Sequence, residues 1–265
     1  MGLTLTLLGS GSTGNATLVS AGEKHILVDV GISGRETRRR LGECGLEPAD
    51  ISAIVVSHEH TDHIRGIAPF VKDLEIPVFM TDGAYEGYVS MPGPVFEASR
   101  RQRIEAGLPF DVCGVMFTPF AVPHDAADPL GFCVERDGVK IGIVLDLGYV
   151  SNLVVERLRG CDAIVLESNH DLNMLKVGPY PWPLKQRVMS RRGHLSNDGV
   201  AEYLQTGFDG RARNLILAHL SEKNNLPDLA MLSAQRALEE RSALLAVQTR
   251  LNIAHPDRIS PTFRY

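Results

Sequence analysis

The residues best suited to chemistry lie in one short segment, residues 58–63, directly after an apolar run. The segment places three imidazoles and the carboxylate of Asp62 within six residues. Neutral imidazole and carboxylate groups are good ligands for zinc, manganese or iron. Where a strand ends, His58 and His60 can point the same way, so that Asp62 and His63 face a second ion. The spacing therefore predicts a site for two metal ions.

Three later apolar runs also end at a residue that can bind a metal. Each run is expected to be a strand that delivers one side chain, namely His124, Asp146 and His219. Asp146 has two carboxylate oxygens and could bridge both ions. The first ion would be bound by His58, His60 and His124, and the second by Asp62, His63 and His219. Taken alone, each of the later residues is equally well explained as a hydrogen-bonded side chain at a strand end.

The pattern resembles the signature of the metallo-β-lactamase fold, which is HxHxDH followed by a distant His, a distant Asp and a final His. The resemblance covers nearly the whole chain and implies a four-layer αββα sandwich with the metals at one edge. Four further segments resemble the YycJ (WalJ) group, and they are residues 9–15 (GSGSTGN), 167–171 (ESNHD), 193–197 (GHLSN) and 217–221 (LAHLS). Members of that group are described as DNA exonucleases. The resemblance therefore implies removal of nucleotides from DNA, from the 5′ side.

A centre of this kind supports hydrolysis. Two cations about 3.5 to 4 Å apart would share a hydroxide and clamp a substrate oxygen. On a phosphodiester, this bridging hydroxide would attack phosphorus in line while a proton donor helps the leaving oxygen depart. His194 and His170 are the candidate donors, and each could instead hold a phosphate or orient a ligand. Together with Asp62, they form the predicted catalytic set.

Substrate contacts are expected from hydroxyl and amide side chains near the predicted metals. The glycine-rich loop after the first strand could bring backbone amides to a phosphate, with contacts from Ser12 and Asn15. A tight turn explains its glycines equally well, and the loop lacks the ending of a P-loop. His194 and Ser221 are also expected at the substrate, although Ser221 could merely cap a turn. Asp29 ends a strand near the metals and could orient a ligand histidine.

Apolar runs of strand length alternate with helical patterns along the chain. The predicted strands are residues 4–8, 16–20, 25–29, 51–57, 78–80, 112–117, 131–135, 139–145, 163–167, 214–218 and 244–249. The predicted helices are residues 33–44, 67–74, 81–88, 151–159, 184–190, 197–206 and 229–241. Proline-rich residues 172–183 are expected to form an irregular loop near the site, and the tail after Asn252 is expected to be irregular too. This α/β (α+β) pattern fits two sheets packed face to face with helices outside.

Composition limits the class of protein. A chain of 265 residues with 44% apolar content can bury one substantial core, so we expect a single domain over residues 1–265. Its first residues resemble a strand rather than a signal peptide, and its apolar runs are shorter than the about 18 residues of a spanning helix. We therefore expect a cytoplasmic protein with no membrane partner. The scattered cysteines favour neither a thiolate metal site nor disulfides and are expected in the core, and they are Cys44, Cys113, Cys133 and Cys161.

The net charge of −5 argues against a broad basic face for nucleic acid. A local basic cluster, Arg187, Arg191 and Arg192, nevertheless precedes His194. DNA is the expected substrate on the resemblance, and a cyclic phosphate, lactone or thioester is the alternative that the acidic charge mildly favours. A third hypothesis is a regulator without activity that keeps the metals for stability. Such a structural site would more typically be closed by four ligands.

Overall fold

The computed structural model describes residues 2–242 and 248–265, and its strands and helices are named in chain order. The strands are β1 (Leu3–Gly9), β2 (Ala16–Ala21), β3 (Lys24–Val28), β4 (Ile51–Val55), β5 (Val78–Met80), β6 (Arg101–Arg103), β7 (Phe110–Val112), β8 (Val115–Ala121), β9 (Leu130–Arg136), β10 (Val139–Val144), β11 (Ala163–Glu167), β12 (Asn214–Ala218), β13 (Arg250–Ile253) and β14 (Phe263–Arg264). The helices are α1 (Gly34–Glu43), α2 (Thr61–Ile64), α3 (Ile67–Val71), α4 (Asp82–Ser90), α5 (Asn152–Leu158), α6 (Leu172–Val177), α7 (Trp182–Val188), α8 (Asn197–Thr206) and α9 (Pro227–Ser242).

The described strands form two seven-stranded sheets, in the orders β14-β1-β2-β3-β4-β5-β6 and β13-β12-β11-β10-β9-β8-β7. Each sheet has an antiparallel half, where short turns join neighbouring strands. Each also has a parallel half, where helices make the crossovers, as from β3 to β4 and from β10 to β12. Parallel strands end at the same edge of a sheet, so these halves can gather side chains from distant parts of the sequence.

Three apolar clusters fill the spaces between the two sheets and between each sheet and its helices. Alternate side chains of both sheets, such as Leu5 and Phe117, meet in a central cluster. The other face of the first sheet packs on α1, α3 and α4, where Phe70 is fully buried. The other face of the second sheet packs on α5, α8 and α9 around Leu204. The order helix, sheet, sheet, helix confirms the predicted mixed α/β sandwich. Among the helices of the described residues, none is long and apolar enough to cross a membrane.

The prediction of an irregular loop over residues 172–183 was wrong for most of that segment. Helix α6 occupies its first half, with the Asp171 side chain capping it by accepting from Met174 N at 2.8 Å. The prolines lie around the start of α7, where Pro181 precedes its first residue and Pro183 is its second residue. Proline is well tolerated there, because the first helical turn has no hydrogen bond to lose.

The C-terminal tail is more regular than its composition predicts. Strand β13 pairs parallel to β12, and β14 pairs antiparallel to β1, so each of them forms an edge strand of its sheet. The predicted strand over residues 244–249 lies largely outside the described residues, and its last two residues precede β13. Cys133 and Cys161 are buried as expected, and Cys44 is half-buried. Cys113 is exposed, because it occupies the turn between β7 and β8 with a φ of 55°.

Candidate metal centre

Strand ends of both sheets position the site. Asp29, Asp146 and His219 directly or closely follow β3, β10 and β12. Their φ angles of 61°, 54° and 54° lie in the left-handed region. For residues other than glycine this conformation costs on the order of 1 kcal/mol, and such strain tends to cluster at functional sites. The sharp turn after each strand keeps these side chains at the shared edge.

Asp146 lies at the meeting point of the predicted ligands. Its Oδ2 is 2.8 Å from His63 Nε2 and 3.2 Å from His58 Nε2, while its Oδ1 is 2.6 Å from His219 Nδ1. Two groups of ligand atoms, each within 4.8 Å of one another, share this carboxylate, and they are His58, His60, His124 with Asp146, and Asp62, His63, His219 with Asp146. The structure thus brings all seven predicted ligand residues together, in the two predicted sets.

The surrounding protein fixes the orientation of three of these imidazoles. In each, Nδ1 contacts an oxygen that can only accept, so Nδ1 carries the proton and Nε2 faces the cluster. The three bonds run from His63 to Asp29 at 2.7 Å, from His124 to the Gly193 carbonyl at 2.9 Å, and from His219 to Glu167 at 2.8 Å. Metal-binding histidines are generally oriented by such partners. The predicted contact of Asp29 with a ligand histidine is present.

The cluster leaves polar atoms unpaired in a way that suits a cation. Among the described residues, His58 Nε2 and Asp146 Oδ1 are shielded from water and make no hydrogen bond of good geometry, although Asp146 Oδ2 lies 3.2 Å from the first and His219 Nδ1 lies 2.6 Å from the second. Leaving such a group unpaired costs about 1–3 kcal/mol. A cation coordinated between the imidazoles and the carboxylate would satisfy both atoms. The residues present therefore fit divalent cations.

Electrostatics in the cluster also favour a cation. Burial lowers the pKa of three of its imidazoles and keeps their lone pairs available, namely those of His58, His60 and His124. Burial also opposes ionisation of Asp146, but His219 and His63 outweigh it and hold the pKa of that carboxyl well below its usual range. In turn Asp146 raises the pKa of both histidines well above the ordinary value, against the effect of burial. The carboxylates thus attract positive charge, which a bound cation would supply.

A cleft of about 330 Å³ opens over the cluster, and His194 lines it together with His60 and Asp62. His194 Nδ1 donates to Glu167 Oε1 at 2.7 Å. Burial would lower the pKa of His194, but Glu167 and Asp146 outweigh it and raise that pKa to about 10. Burial likewise opposes ionisation of Glu167, yet His194 brings its pKa down to about 2. The cleft therefore contains a charged imidazole beside the ligand sets.

Only some of the other residues predicted to contact the substrate or to act on it line the cleft. Ser12 and Ser221 line the cleft. Asn15 is 1% exposed, and its amide bonds to the loop at Ser10 and Gly11. These bonds favour a structural role for Asn15, so its substrate contact stays a prediction without support from this geometry. His170 lies in the wall of a neighbouring cavity.

Three residues in or beside the cleft had no predicted role. Glu167 joins His194 to His219, and Tyr180 and Arg187 line the cleft. Glu167 is the last residue of the buried strand β11, and Asp146 follows the end of β10 by two residues. An acidic residue at the end of a buried strand was therefore the sequence feature that could have indicated Glu167. Arg187 belongs to the basic cluster that the sequence places before His194. Nothing in the local sequence indicates Tyr180, whose position depends on how α6 and α7 pack.

The two-sheet fold and its His/Asp cluster define a protein of the metallo-β-lactamase type. Residues 24–220 match the family described as "Beta-lactamase superfamily domain", and the chain belongs to that superfamily. It is 34% identical over 241 residues to the exodeoxyribonuclease YycJ of Bacillus anthracis, a match that covers 91% of each chain. It is 30% identical over 263 residues to the exodeoxyribonuclease WalJ of Streptococcus pneumoniae, covering 98% of this chain and 97% of WalJ. The predicted family is confirmed.

Among solved structures, the metallo-β-lactamase fold protein YhfI of Bacillus subtilis superposes with a TM-score of 0.72. The superposition covers 98% of this chain and 99% of YhfI at 18% identity. At that identity the likeness concerns the fold, and it confirms the predicted fold class.

Proposed function

We propose that this chain is a metal-dependent phosphodiesterase that removes nucleotides from an end of DNA, acting from the 5′ side. The observation that carries the proposal is the meeting of two ligand sets at Asp146 beneath a cleft that His194 also lines. The similarity to two proteins named exodeoxyribonucleases, at 34% and 30% identity, supports DNA as the substrate. The 5′ polarity comes from the resemblance to the YycJ (WalJ) group. Action on cellular DNA would place the protein in the cytoplasm, as the sequence predicts.

In this proposal, two divalent cations are bound at the shared edge. One would be bound by His58, His60 and His124, the other by Asp62, His63 and His219, with Asp146 between them. Zinc, manganese and iron all suit imidazole and carboxylate ligands. When bound, such ions supply Lewis acidity and a water nucleophile that is active near neutral pH.

The remaining residues of the cleft would position the phosphodiester and move a proton. The hydroxyls of Ser12 and Ser221 lie where they can donate to phosphate oxygens. His194 is held by Glu167 through Nδ1, which leaves the proton on Nε2 of its imidazolium for the leaving oxygen. His170 is the second predicted donor, and its place in the neighbouring cavity makes His194 the better choice.

The proposal is tested by hydrolysis of end-labelled single- and double-stranded DNA with purified protein and added Mn²⁺ or Zn²⁺. The wild type should shorten the DNA stepwise from the 5′ end. Asp62→Ala should abolish the reaction, because it removes a ligand at the cleft. Asp73→Ala is the matched control, since Asp73 is exposed, and it should leave the rate unchanged. No cleavage by metal-loaded wild type would overturn the proposal.

Salt dependence separates DNA from the small substrates that the acidic net charge mildly favours. A strand held at several phosphates releases counterions, so log kcat/KM should fall linearly with log salt concentration. Hydrolysis of a cyclic phosphate, a lactone or a thioester would lack this steep slope. Rapid hydrolysis of such a compound by protein that does not cleave DNA would establish the alternative.

A further inference from the structure

A second cavity, of about 420 Å³, adjoins the metal cleft and shares His194 with it. Its walls come from the loop after β10, from the segments that follow β11 and α7, and from one face of α8, and they include Tyr149, His170, Arg191, Ser196, Glu202 and Tyr203. We name it the α8 cavity. Its volume lies in the range of about 300–1,000 Å³ that is typical of small-molecule sites. The proposed chemistry at the metals does not use it.

His170 is the unusual residue of the α8 cavity. Its side chain is 1% exposed, and neither ring nitrogen has a hydrogen-bond partner among the described residues. Burial lowers the pKa of His170 to about 4, so the imidazole is neutral and offers one donor and one acceptor. A buried polar group without partners costs stability, and native proteins seldom contain one without a reason.

The backbone around His170 is firmly held, so its lack of partners does not come from a loose loop. Asn197 N donates to the His170 carbonyl at 2.9 Å, and Asn169 N donates to the Leu195 carbonyl at 2.8 Å. The Ser168 hydroxyl also bonds to the Asn197 side chain at 2.8 Å. These contacts join the segments 167–171 and 193–197 side by side. They fix the backbone that carries the His170 imidazole in the cavity wall.

A flat cation–aromatic pair forms another part of the wall. The Arg191 guanidinium carbon lies 4.1 Å from the centroid of the Tyr149 ring. Arginine and tyrosine planes are surfaces on which nucleobases commonly stack. Arg191 is exposed and Tyr149 is half-buried, so the pair can be reached from solvent.

The charges around the α8 cavity favour a neutral ring over a phosphate. Asp198 and Glu202 are both exposed and place two carboxylates on the α8 side. Arg191 and the shared His194 are cations of the lining, but Arg191 is already stacked on Tyr149 and His194 is already paired with Glu167. Phosphate groups are usually bound by several cations or free backbone amides. Carboxylates instead accept hydrogen bonds from the amino groups of adenine, cytosine and guanine.

We propose that the α8 cavity binds the base of the terminal nucleotide while the adjoining phosphate lies in the metal cleft. The base would stack near Tyr149 and Arg191 and give His170 its missing partners. Thymine has no amino group for Asp198 and Glu202, so thymidine should bind most weakly. This inference rests on the proposed function for its substrate, and its first test does not depend on catalysis.

The first test measures binding of neutral 2′-deoxynucleosides to the full-length metal-loaded protein by calorimetry. Deoxyguanosine should bind, and thymidine should bind several-fold more weakly. His170→Leu keeps a similar side-chain volume and should weaken deoxyguanosine binding at least 10-fold. Arg191→Ala changes an exposed residue, so it tests the stacking surface without risk to folding and should weaken binding several-fold. His25→Leu is the matched control, because His25 bonds to Ser20 and lines a different cavity, and it should have no effect.

Thermal unfolding distinguishes a ligand role from a structural role for His170. Removing an unpaired buried imidazole should leave the Tm unchanged or raise it. A lower Tm together with unchanged nucleoside binding would show that His170 has a structural partner, and would overturn the inference.

The second test compares DNA with a normal or an abasic terminal nucleotide. The wild type should remove the normal nucleotide at least 10-fold faster, and His170→Leu should largely remove that difference by slowing the normal substrate alone. Equal rates in the wild type, with no deoxyguanosine binding, would overturn the base site and leave the proposed function intact. Absence of all DNA cleavage, with deoxyguanosine binding that His170→Leu weakens, would overturn the proposed function and leave a nucleoside site.

Discussion

His194 Nδ1 donates to Glu167 Oε1 at 2.7 Å, and the same oxygen accepts from His219 Nδ1 at 2.8 Å. One carboxylate oxygen therefore serves both the imidazole that lines the cleft and a predicted metal ligand. The other oxygen, Oε2, accepts the backbone N–H groups of Leu147 and Leu195 at 2.9 and 3.0 Å. With all these donors in place, the carboxylate cannot rotate without breaking several bonds. The orientations of the two rings are thus coupled through Glu167.

Glu167→Gln should impair turnover through this coupling. Its amide NH₂ must face either the two ring donors or the two backbone donors, so one pair of donors loses its acceptor. We expect kcat to fall about 10- to 100-fold, as for other residues that orient metal ligands, with KM changed much less. Steady-state kinetics measure kcat and KM, and the metal content per chain shows whether the variant still binds its cations. Glu59→Gln is the control, because Glu59 accepts from the Ala127 N–H outside the cluster. A lower Tm with unchanged kcat would reduce Glu167 to a structural role.

Asp146→Asn should cost the protein both cations. Asp146 belongs to both ligand sets, and an asparagine offers one oxygen where the carboxylate offers two. His60→Ala removes a ligand from one set alone, so the ion bound by the other set should remain. Metal content per chain, measured by mass spectrometry after dialysis, should fall close to zero for Asp146→Asn and by about half for His60→Ala. Retention of two tightly bound ions in Asp146→Asn would contradict a shared ligand.

The clustering of the predicted ligand residues could be foreseen from the sequence because their pattern is partly local. Residues 58–63 hold several ligand groups within six positions, and packing alone does not require that density. Glu167 was harder to assign, because its partners His194 and His219 are 27 and 52 residues away. A single acid at the end of an apolar strand looks the same in sequence whether it caps a turn or orients two imidazole rings, as Glu167 does. The left-handed backbone conformation of Asp146 could not be predicted from the sequence either, because turn geometry depends on tertiary contacts.

The fold was predictable where local periodicity decides the element. Strand β14 has two residues, Phe263 and Arg264, and it exists because β1 offers an edge to pair with. Helix α6 was missed because the prolines that follow it were given too much weight. They lie beyond its C-terminal residue Val177, where they cost it nothing. Long-range pairing and the exact position of a proline relative to a helix end were the missing information.

Asp29→Asn should weaken cation binding at the Asp62/His63 set. Asp29 Oδ2 accepts from His63 Nδ1 at 2.7 Å and from the Ser57 hydroxyl at 2.8 Å, so an amide NH₂ at that place would meet two donors. Asparagine tolerates the left-handed backbone, with its φ of 61°, so folding should be retained. We expect a loss of about 10- to 100-fold in affinity. Titration of the metal-free protein with Zn²⁺ measures it, and unchanged affinity would show that Asp29 does not orient the ligand.

Glu36 should contribute stability that depends on pH, through a buried arginine far from the metals. Arg40 is 5% exposed, and its Nη1 donates to the Leu8 carbonyl at 2.6 Å and to the Pro256 carbonyl at 2.9 Å. Its Nε also lies 2.6 Å from Glu36 Oε1, so this pair ties α1 to the end of β1 and to the tail. Hydrogen bonds from Arg39 and Arg40 outweigh the effect of burial and lower the pKa of Glu36 from 4.5 to about 2.

A carboxyl whose pKa is lower in the folded state stabilises the fold above its unfolded pKa and loses that effect as pH falls through the folded value. Glu36→Gln should therefore reduce the free energy of unfolding at pH 7, by at most about 1 kcal/mol because the pair is partly exposed. The difference from wild type should shrink below about pH 4.5 and vanish near pH 2. Urea unfolding of both metal-free proteins between pH 2 and 7 measures it. Glu43→Gln, which loses an exposed ion pair with Arg39, is the control and should show a smaller change. A deficit in Glu36→Gln that persists unchanged at pH 2 would mean that packing, and not the charge of Glu36, supports Arg40.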